Sequence, residues 1–385
     1  MKFVFFSGSR SEYYLLKAVF NTLAGKLISN KYKFELSVVF GGVYSCEADL
    51  KWREEAKAYL NSKDIQTFDI TTMVKDTQTT ASIQIAKSIK AFEHFLDNCG
   101  KSDRLLVVLG DRAETLGACI SAASHLIPIA HLCGGESTLG AVDDWIRHSI
   151  TKMASIHFPT SEKYRSRIIR MGEVPNLVFN FGHPIADMQR DIDLLDRNKL
   201  DNMFPNIIGE RVITVTVHPE TANRDKLLAF ETTKNYIINN PELHFIVSAS
   251  NSDEGGSEIN RQWKCLANKL NNMDFYDTLG SQLYLSFLSC SEFAFGNSSS
   301  LLIDTHITKT PSIIVGNRQD GRHFASGTIR SGYNDLEEKV TQLYHDKHSY
   351  TYDSDYVRDG ACENIAETIL ALSDDLSVKK VFFDV

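Results

Sequence analysis

Short apolar runs that end close to acidic residues constrain the fold of this chain more than any other feature. The run LLVVLG covers residues 105–110 and leads directly to Asp111, and IPIAHL covers residues 127–132 and leads through Cys133 and two glycines to Glu136. Continuous apolar runs of this length are typical of strands buried on both faces of a parallel sheet. Residues 113–126 between them carry an alanine-rich helical pattern. The sequence therefore predicts βα units in an open α/β sheet.

Acidic residues that follow neighbouring strands are expected to meet, because ligands bind outside the carboxyl ends of strands in such sheets. Asp111 and Glu136 fit this rule, and Asp143 and Asp144 come soon afterwards, before a helix that starts near Trp145. The basic and histidine side chains expected around them are Arg112, His131, Arg147 and His148. Clustered carboxylates push the pKa values of one another apart, which suits acid/base chemistry on an uncharged part of a substrate.

The same alternation of strands and helices continues along the chain. KFVFFSG predicts the first strand, and roughly six parallel strands are expected in the first 185 residues, ending with LVFNFGHP. A polar segment over residues 187–210 predicts a linker, and RVITVTVHPE begins a second α/β run. A chain of 385 residues with 43% apolar content is long enough for two cores. We expect domains at 1–186 and 187–357, followed by a C-terminal segment, 358–385, that contains the helix ENIAETILALS.

Composition excludes several classes of protein. The formal net charge of −8 argues against a nucleic-acid-binding surface. No apolar run approaches the ~20 residues of a membrane span, and the N-terminus lacks a signal-peptide pattern, so we expect a cytoplasmic enzyme. The seven cysteines are scattered without CxxC spacing, which favours neither a disulfide framework nor a zinc site. The histidines and aspartates near Glu136 also lack a short metal-ligand pattern, so no metal site is predicted.

Two loops have the composition of anion-binding sites. Arg10 lies before the first predicted helix, where backbone N–H groups and the helix dipole attract anions; the alternative is a solvated loop cation. In GNSSS, the serines Ser298, Ser299 and Ser300 stand at the start of another predicted helix. Their N–H groups and hydroxyls can form a phosphate cradle, or Ser299 or Ser300 can be an ordinary helix cap. The chain carries neither the dinucleotide fingerprint GxGxxG after its first strand nor a P-loop motif.

Three further side chains follow predicted strands of the second run. His218 stands in VHPET, where a lone histidine serves either catalysis or a structural hydrogen bond. Arg318 and Arg322 stand in GNRQDGR, and guanidinium groups suit bidentate contacts to phosphate. A serine hydrolase is disfavoured because the chain has no GxSxG nucleophile elbow.

Six strings in this order resemble the hydrolysing UDP-N-acetylglucosamine 2-epimerase family: GSRSEYYLLKAV, GDRAE, HLCGGESTLGAVDDWIRHSITK, VHPET, GNSSS and GNRQDGR. The resemblance extends from residue 1 to about residue 330. It implies two Rossmann-like domains facing a central cleft, the GT-B arrangement, with the C-terminal helix crossing back to the first domain. It also implies elimination of UDP to a 2-acetamidoglycal, followed by addition of water to give a free sugar inverted at C2. No cofactor is expected, and relatives are usually homodimers or homotetramers.

The resemblance also assigns roles to particular residues. Its acid/base set would be Asp111, Glu136 and Asp143, with His218 across the cleft. Asp304 stands where family members generally carry a glutamate that binds the ribose hydroxyls. The remaining residues assigned to substrate binding, chiefly to the diphosphate, are Arg10, Arg112, Ser298, Ser299, Ser300 and Arg318.

Two departures from the family pattern fall on the sugar side of the expected site. Cys133 stands where many relatives carry an acidic residue or a histidine, and Tyr44 stands where several carry a histidine. A thiol cannot act as a carboxylate at neutral pH, and this departure indicates an altered sugar. Three alternatives stay open: the same reaction on UDP-2,4-diacetamido-2,4,6-trideoxyglucose of the legionaminic acid pathway, a GT-B glycosyltransferase, and a non-catalytic nucleotide-sugar sensor. The string VHPET favours the hydrolysing epimerases over the non-hydrolysing ones, which carry a THRxEN type of string.

Overall fold

The computed structural model describes residues 2–29, 35–44, 47–70, 72–73, 80–99, 103–139, 143–190, 192–251, 253–352 and 354–384. The chain divides into two compact units. The first comprises Met1–Glu136, Asp143–Met188 and Arg358–Val385, and the second comprises Ser137–Val142 and Gln189–Val357.

The strands are β1 (Lys2–Ser7), β2 (Glu35–Phe40), β3 (Val43–Tyr44), β4 (Gln66–Asp69), β5 (Thr72–Met73), β6 (Arg104–Leu109), β7 (Ile129–Leu132), β8 (Ile156–Phe158), β9 (Val212–Thr216), β10 (His244–Ser248), β11 (Met273–Tyr276), β12 (Ala294–Gly296), β13 (Ser312–Val315) and β14 (Thr328–Ser331). The α-helices are α1 (Arg10–Ser29), α2 (Glu47–Asn61), α3 (Ala81–Asn98), α4 (Ala113–Ser124), α5 (Asp144–Met153), α6 (Glu162–Arg170), α7 (Ile185–Arg190), α8 (Arg197–Met203), α9 (Leu228–Asn239), α10 (Gly256–Ala267), α11 (Gly280–Cys290), α12 (Ser300–Thr308), α13 (Leu336–Asp346) and α14 (Ala361–Leu372).

The first unit is built on a parallel sheet whose described strands lie in the order β4-β2-β1-β6-β7-β8. Every residue of β6 and β7 is buried, because helices cover both faces of the sheet. Polar groups therefore concentrate where these strands end. The α/β class and the parallel pairing predicted from the apolar runs are confirmed.

The C-terminal helix α14 packs in the first unit, as the family resemblance implies. Its buried residues Cys362, Ile365 and Ile369 belong to the same core cluster as residues of α1, and Lys26 on α1 forms ion pairs with Glu363 and Glu367. About 170 residues of the second unit lie between α14 and the earlier parts of the first.

The second unit repeats the architecture around a parallel sheet in the order β11-β10-β9-β12-β13-β14 among its described strands. Its core includes the fully buried Trp263, whose ring packs edge-on against Phe230 with centroids 4.7 Å apart. The strands predicted before His218 and before the GNRQDGR string are β9 and β13, and both lie in this sheet.

Two segments differ from the sequence expectation. LVFNFGHP forms only a single bridge, between His157 and Val178, instead of a strand. A 3-10 turn at Pro175–Leu177 precedes that bridge and Gly182 at φ +85° follows it, which leaves too little extended backbone for a ladder. The predicted linker is largely helical, because the Asp196 side chain caps α8 and Leu200 of that helix is fully buried.

Within the described residues, no helix is both long and apolar enough to cross a membrane.

One buried carboxylate, Glu173, contributes to the attachment of the chain beyond α14 to the first unit. Glu173 accepts from Lys380 Nζ at 2.5 Å and from Lys152 Nζ at 2.6 Å, and its other neighbour, His157 Nε2, is 3.1 Å away. The aromatic ring of Phe382 lies against Gly172, where an added Cβ would meet the ring at 2.4 Å. Glu173 is 2% exposed, and despite this burial, hydrogen bonds from these neighbours lower its pKa from 4.5 to about 2.

Replacing Glu173 with glutamine is expected to lower the free energy of unfolding at pH 7 by about 2–3 kcal/mol. A carboxylate whose folded pKa is depressed stabilises the protein above its unfolded pKa, and that stabilisation is lost as the pH falls from about 4.5 towards 2. Denaturant unfolding at pH 7, 5 and 3.5 measures the difference between the two proteins, which should shrink with acidity. Glu162→Gln, at a surface pair with Arg165, is the matched control and should cost less than about 1 kcal/mol. Equal effects of both variants would contradict this assignment.

Candidate active site

A buried arginine joins the two carboxylates predicted to meet at the ends of β6 and β7. Arg147 lies on α5, and its two terminal nitrogens divide between partners. Nη1 donates to Glu136 Oε2 at 3.0 Å, and Nη2 donates to Asp111 Oδ2 in a short contact. We call Asp111, Arg147 and Glu136 the carboxylate bridge. The sequence placed Arg147 near the cluster, but it gave no sign that this arginine would hold both acids.

The two carboxylates of the bridge differ in access to solvent. The Glu136 side chain is 4% exposed and also accepts from the Thr160 hydroxyl at 2.9 Å. The Asp111 side chain is 20% exposed. A molecule arriving from solvent therefore reaches Asp111 more readily than Glu136.

His131, expected in the site, serves the scaffold. It is fully buried on β7, where Nε2 lies 2.8 Å from the Gly110 carbonyl oxygen and Nδ1 lies 3.2 Å from the Thr151 hydroxyl. Only a protonated Nε2 can donate to that carbonyl, so the contact fixes the tautomer. Burial lowers the pKa of His131 to about 3, and the ring is neutral at physiological pH. His131 holds the backbone next to Asp111 in place.

The turn between β7 and Glu136 has an unusual backbone. Cys133 is 6% exposed and adopts φ +58°, the left-handed region that is uncommon for residues other than glycine. Gly135 follows at φ +73°, and an added Cβ there would lie 2.9 Å from the Tyr164 carbonyl oxygen. The turn brings Glu136 to the carboxylate bridge at the cost of one strained non-glycine residue.

The other predicted acids lie at the start of α5. Asp143 occupies the N-cap position, and its carbonyl accepts from the backbone N–H groups of Ile146 and Arg147. Asp144 Oδ2 lies 3.4 Å from His148 Nε2. Burial lowers the pKa of His148. Asp143 thus stands one helical turn before the arginine of the bridge.

The first turn of α1 contains a carboxylate, Glu12, that the sequence analysis missed. Ser9 Oγ accepts from the Glu12 N–H at 3.3 Å, and Glu12 Oε2 accepts from the Gly8 N–H at 2.7 Å. This is close to a capping box, and the S-x-x-E spacing of residues 9–12 was the signal that could have revealed it. Glu12 is 6% exposed, and burial raises its pKa to about 7.

The two predicted arginines of this region lie on the surface. Arg10 is exposed at the start of α1, with its guanidinium 5.8 Å from the centre of the Tyr14 ring. Arg112 is 43% exposed, and its Nε lies 3.4 Å from the buried carboxylate of Glu114. Both cations can reach a ligand in solvent.

In the second unit, the residues 298–300, here called the serine turn, lead from β12 into α12. The helix begins at Ser300, so only one of the three serines lies in its first turn. Ser299 occupies the N-cap position, but its hydroxyl makes no cap hydrogen bond. The end of β12, just before this turn, lies close to β9, since Gly296 has φ +138° and an added Cβ would lie 2.0 Å from the Thr216 carbonyl oxygen. Only glycine fits there.

His218 follows β9 and is held from two sides. Its Nδ1 accepts from the Asn251 N–H at 3.1 Å, so the neutral ring carries its proton on Nε2. Asn297 accepts from the His218 N–H at 2.7 Å and donates to its carbonyl at 2.8 Å. Burial, with a smaller contribution from the charge of Arg318, lowers the pKa of His218 to about 3. The imidazole is therefore a neutral hydrogen-bond donor at physiological pH.

Glu220, the acidic residue of VHPET, orders the loop after β13. It is fully buried, and its Oε1 accepts from the N–H groups of Asn317 and Arg318 at 2.7 and 3.1 Å. Its Oε2 accepts from the Tyr333 hydroxyl at 3.0 Å. The Arg318 guanidinium lies 3.5 Å from the carboxylate of Asp253 and is 15% exposed. The sequence analysis identified Arg318 but not Glu220, the carboxylate that holds the backbone of Arg318 in position.

Asp304 lies on α12 and is 6% exposed. Burial raises its pKa to about 7, opposed by the Gln189 side chain, which donates to Oδ1 at 3.0 Å. The carboxyl group is thus poised to gain or lose a proton near neutral pH.

The predicted residues form two groups, one in each unit. In the first unit, the structure joins Asp111 and Glu136 through Arg147. In the second, His218 and Arg318 share Asn297 as a neighbour: His218 exchanges both backbone hydrogen bonds with its side chain, and Arg318 Nη1 lies 3.5 Å from its carbonyl oxygen. The residues missed by sequence reasoning are Glu12, Glu220 and Asn297, each of which positions a loop rather than presenting a charge to solvent.

Comparison with known proteins identifies the family. The model of the UDP-N-acetylglucosamine 2-epimerase family matches residues 27–370. The chain is 32% identical over 348 residues to the GDP/UDP-N,N'-diacetylbacillosamine 2-epimerase (hydrolyzing) of Campylobacter jejuni, which covers 88% of this chain and 86% of that protein. The chain belongs to the UDP-N-acetylglucosamine 2-epimerase family. The family predicted from the ordered motifs is confirmed, and the protein is an enzyme of this kind.

Two further relatives agree with this membership. The enzyme is 29% identical over 333 residues to the polysialic acid biosynthesis protein P7 of Escherichia coli, covering 83% of this chain and 80% of that protein. The crystal structure of the UDP-GlcNAc 2-epimerase from Neisseria meningitidis, bound to UDP-GlcNAc, matches with a TM-score of 0.76. That match covers 96% of this chain and 100% of the other at 16% identity, and it supports the fold.

Removing the charge of Arg147 is expected to destabilise the enzyme by about 3–5 kcal/mol, because Arg147→Met leaves the buried Glu136 carboxylate without this guanidinium. Denaturant unfolding measures the change. The double variant Arg147→Met with Glu136→Gln should recover part of the loss, since it removes the uncompensated charge. Arg165→Met, a partly exposed arginine on α6, is the matched control. An equal loss in the control, or no recovery in the double variant, would contradict the bridge.

Proposed function

We propose that this enzyme hydrolyses a UDP-2-acetamido sugar with inversion at C2, releasing UDP and the free manno-configured sugar. The observation that carries the proposal is the carboxylate bridge, in an enzyme of the UDP-N-acetylglucosamine 2-epimerase family. Removing a proton from C2 requires a base of fixed position, and a carboxylate held by a buried arginine has one.

We assign the base to Asp111, the more accessible acid of the bridge. In the first step, a carboxylate takes the C2 proton while the bond between C1 and the UDP oxygen breaks, which leaves a C1–C2 double bond. In the second step, water adds its oxygen to C1, and a proton returns to C2 from the opposite face. Glu136 fixes Arg147, and Asp143 is a second acid that can serve one of these proton transfers.

The groups of the second unit suit the nucleotide. We assign the serine turn, Arg318 and the neutral Nε2–H of His218 to the diphosphate, where charge develops as the C1–O bond breaks. We assign Asp304 to the ribose hydroxyls, as the family resemblance implies. Arg10 and Arg112 are the exposed cations of the first unit assigned to the same substrate.

Two sugars are candidates for the substrate. UDP-N-acetylglucosamine, which would yield N-acetylmannosamine for sialic acid synthesis, is the first. UDP-2,4-diacetamido-2,4,6-trideoxyglucose is the second, and the name of the C. jejuni relative, a diacetylbacillosamine 2-epimerase, favours it. Cys133 supports a sugar that differs from the usual one, because a thiol replaces the acid or histidine of many relatives. We further propose a cytoplasmic homodimer or homotetramer, on the family resemblance.

Proton NMR in deuterated water tests the reaction directly, with each UDP-sugar supplied separately. We expect UDP and a free manno-configured sugar that carries deuterium at C2, because the C2 proton is exchanged through the glycal. The faster substrate identifies the sugar. Intact nucleotide sugar in both samples would overturn the hydrolytic function. That result would favour a transferase without its acceptor or a binding protein.

Asp111→Asn should lower turnover by about 10²-fold or more, since asparagine keeps a hydrogen-bond acceptor for Arg147 but cannot take a proton. UDP affinity, measured by calorimetry, should stay near the wild-type value. Asp97→Asn, at an exposed position on α3, is the matched control and should turn over normally. Near-normal turnover of Asp111→Asn would remove Asp111 from the mechanism.

A further inference from the structure

A series of hydroxyl groups crosses the second unit and ends at the serine turn. The Tyr284 hydroxyl, on α11, lies 2.7 Å from Ser300 Oγ, and the Ser300 hydroxyl donates to Ser298 Oγ at 3.0 Å. The series joins α11 to the first residue of α12 and, through it, to Ser298.

One bond in this series fixes the direction of the others, because each hydroxyl has a single proton. Ser300 gives its proton to Ser298, so it can only accept from Tyr284. Burial raises the pKa of Tyr284, which keeps the phenol protonated and able to donate at neutral pH. The protons of Tyr284 and Ser300 therefore both point towards Ser298.

Ser298 is the end of the series and has one proton left to give. Its Oγ accepts from the Ser300 hydroxyl and also from the Ser300 N–H, at 3.3 Å. With both lone pairs used, the oxygen interacts further only as a donor. Among the described residues, no acceptor receives that proton, although Ser298 is only 7% exposed. Nearly buried donors without a protein partner are uncommon, and a bound acceptor completes them.

We infer that Tyr284 is a positioning residue for anion binding, whose hydroxyl holds Ser300 and so directs the Ser298 proton to a phosphate oxygen of UDP. This inference rests on the proposed function, because it takes the diphosphate as the acceptor. We call the hydrogen bonds from Tyr284 through Ser300 to Ser298 the relay. Hydrogen bonds in a series polarise one another, so the relay also strengthens Ser298 as a donor. A bond from this donor to a charged oxygen is stronger than one to a neutral acceptor.

Tyr284→Phe removes one hydroxyl and keeps the ring. Calorimetry with UDP should show a Kd that is about 3–10-fold higher than in the wild type, since Ser300 loses its donor and Ser298 its fixed orientation. Uridine, followed by NMR titration, should bind both proteins equally because it has no phosphate. A general distortion of the second unit would weaken both ligands, so the pair of ligands separates positioning from structural damage.

Two further variants sharpen the test. Tyr344→Phe is the matched control, because its hydroxyl also bonds within the second unit but to Glu292, away from the serine turn. It should leave the UDP Kd unchanged. Ser300→Ala interrupts the same relay one step later, so combining it with Tyr284→Phe should add little to its own effect.

The outcomes distinguish this inference from the function on which it rests. Wild-type affinity for UDP in Tyr284→Phe, an equal weakening of UDP and uridine, or full additivity with Ser300→Ala would each overturn the relay. In all three cases, the wild type still binds UDP and the proposed function stands. A wild-type protein that binds no UDP would overturn the proposed function and the relay together.

Discussion

Arg147 is the residue on which the arrangement of the first unit's site depends. Its guanidinium is nearly inaccessible to water, and a buried cation of this kind is tolerated only when it is paired and hydrogen-bonded. Arg147 pairs with Asp111 and Glu136, which follow the adjacent strands β6 and β7. Burying the guanidinium alone would be costly, and the pairing that offsets this cost also fixes the two carboxylates relative to each other. Both acids lie beyond the ends of β6 and β7, because these strands are buried along their whole length and consist mostly of apolar residues.

The fold was largely predictable from the apolar runs, because a strand buried on both faces leaves a clear pattern. The family was predictable from the order of its motifs. The segment LVFNFGHP was predicted wrongly for a physical reason: its residues alternate like a strand, but Phe158, Phe179 and Phe181 pack as stacked rings, and the backbone forms only one bridge. Helix α8 was not predicted because most of its residues are polar, and the composition of the segment indicated a linker. The helix packs mainly through Leu200, which is fully buried.

In the candidate site, the sequence indicated the charged residues but not the residues that hold them in position. Asp111, Glu136 and Arg318 could be named because a charged residue after an apolar run is conspicuous. Glu220 and Asn297 could not be identified in this way, because their side chains hydrogen-bond backbone groups that are distant in the sequence. His131 was predicted near the site for the right reason, its place at a strand end. In the structure, the Nε2–H of His131 donates to the Gly110 carbonyl oxygen, so this proton is not available for acid/base chemistry.

The two groups of residues differ in how they handle charge. The first unit holds two acidic side chains against a buried arginine. The groups that we propose for the diphosphate in the second unit are mostly neutral donors: the Nε2–H of His218, the hydroxyls of the serine turn and the N–H groups at the start of α12, with Arg318 partly engaged by Asp253. Neutral donors stabilise a diphosphate through fixed dipoles, which need little reorganisation as negative charge grows on the leaving oxygen. They also bring less net positive charge than a cluster of arginines. Under the proposed function, such donors would favour departure of the leaving group.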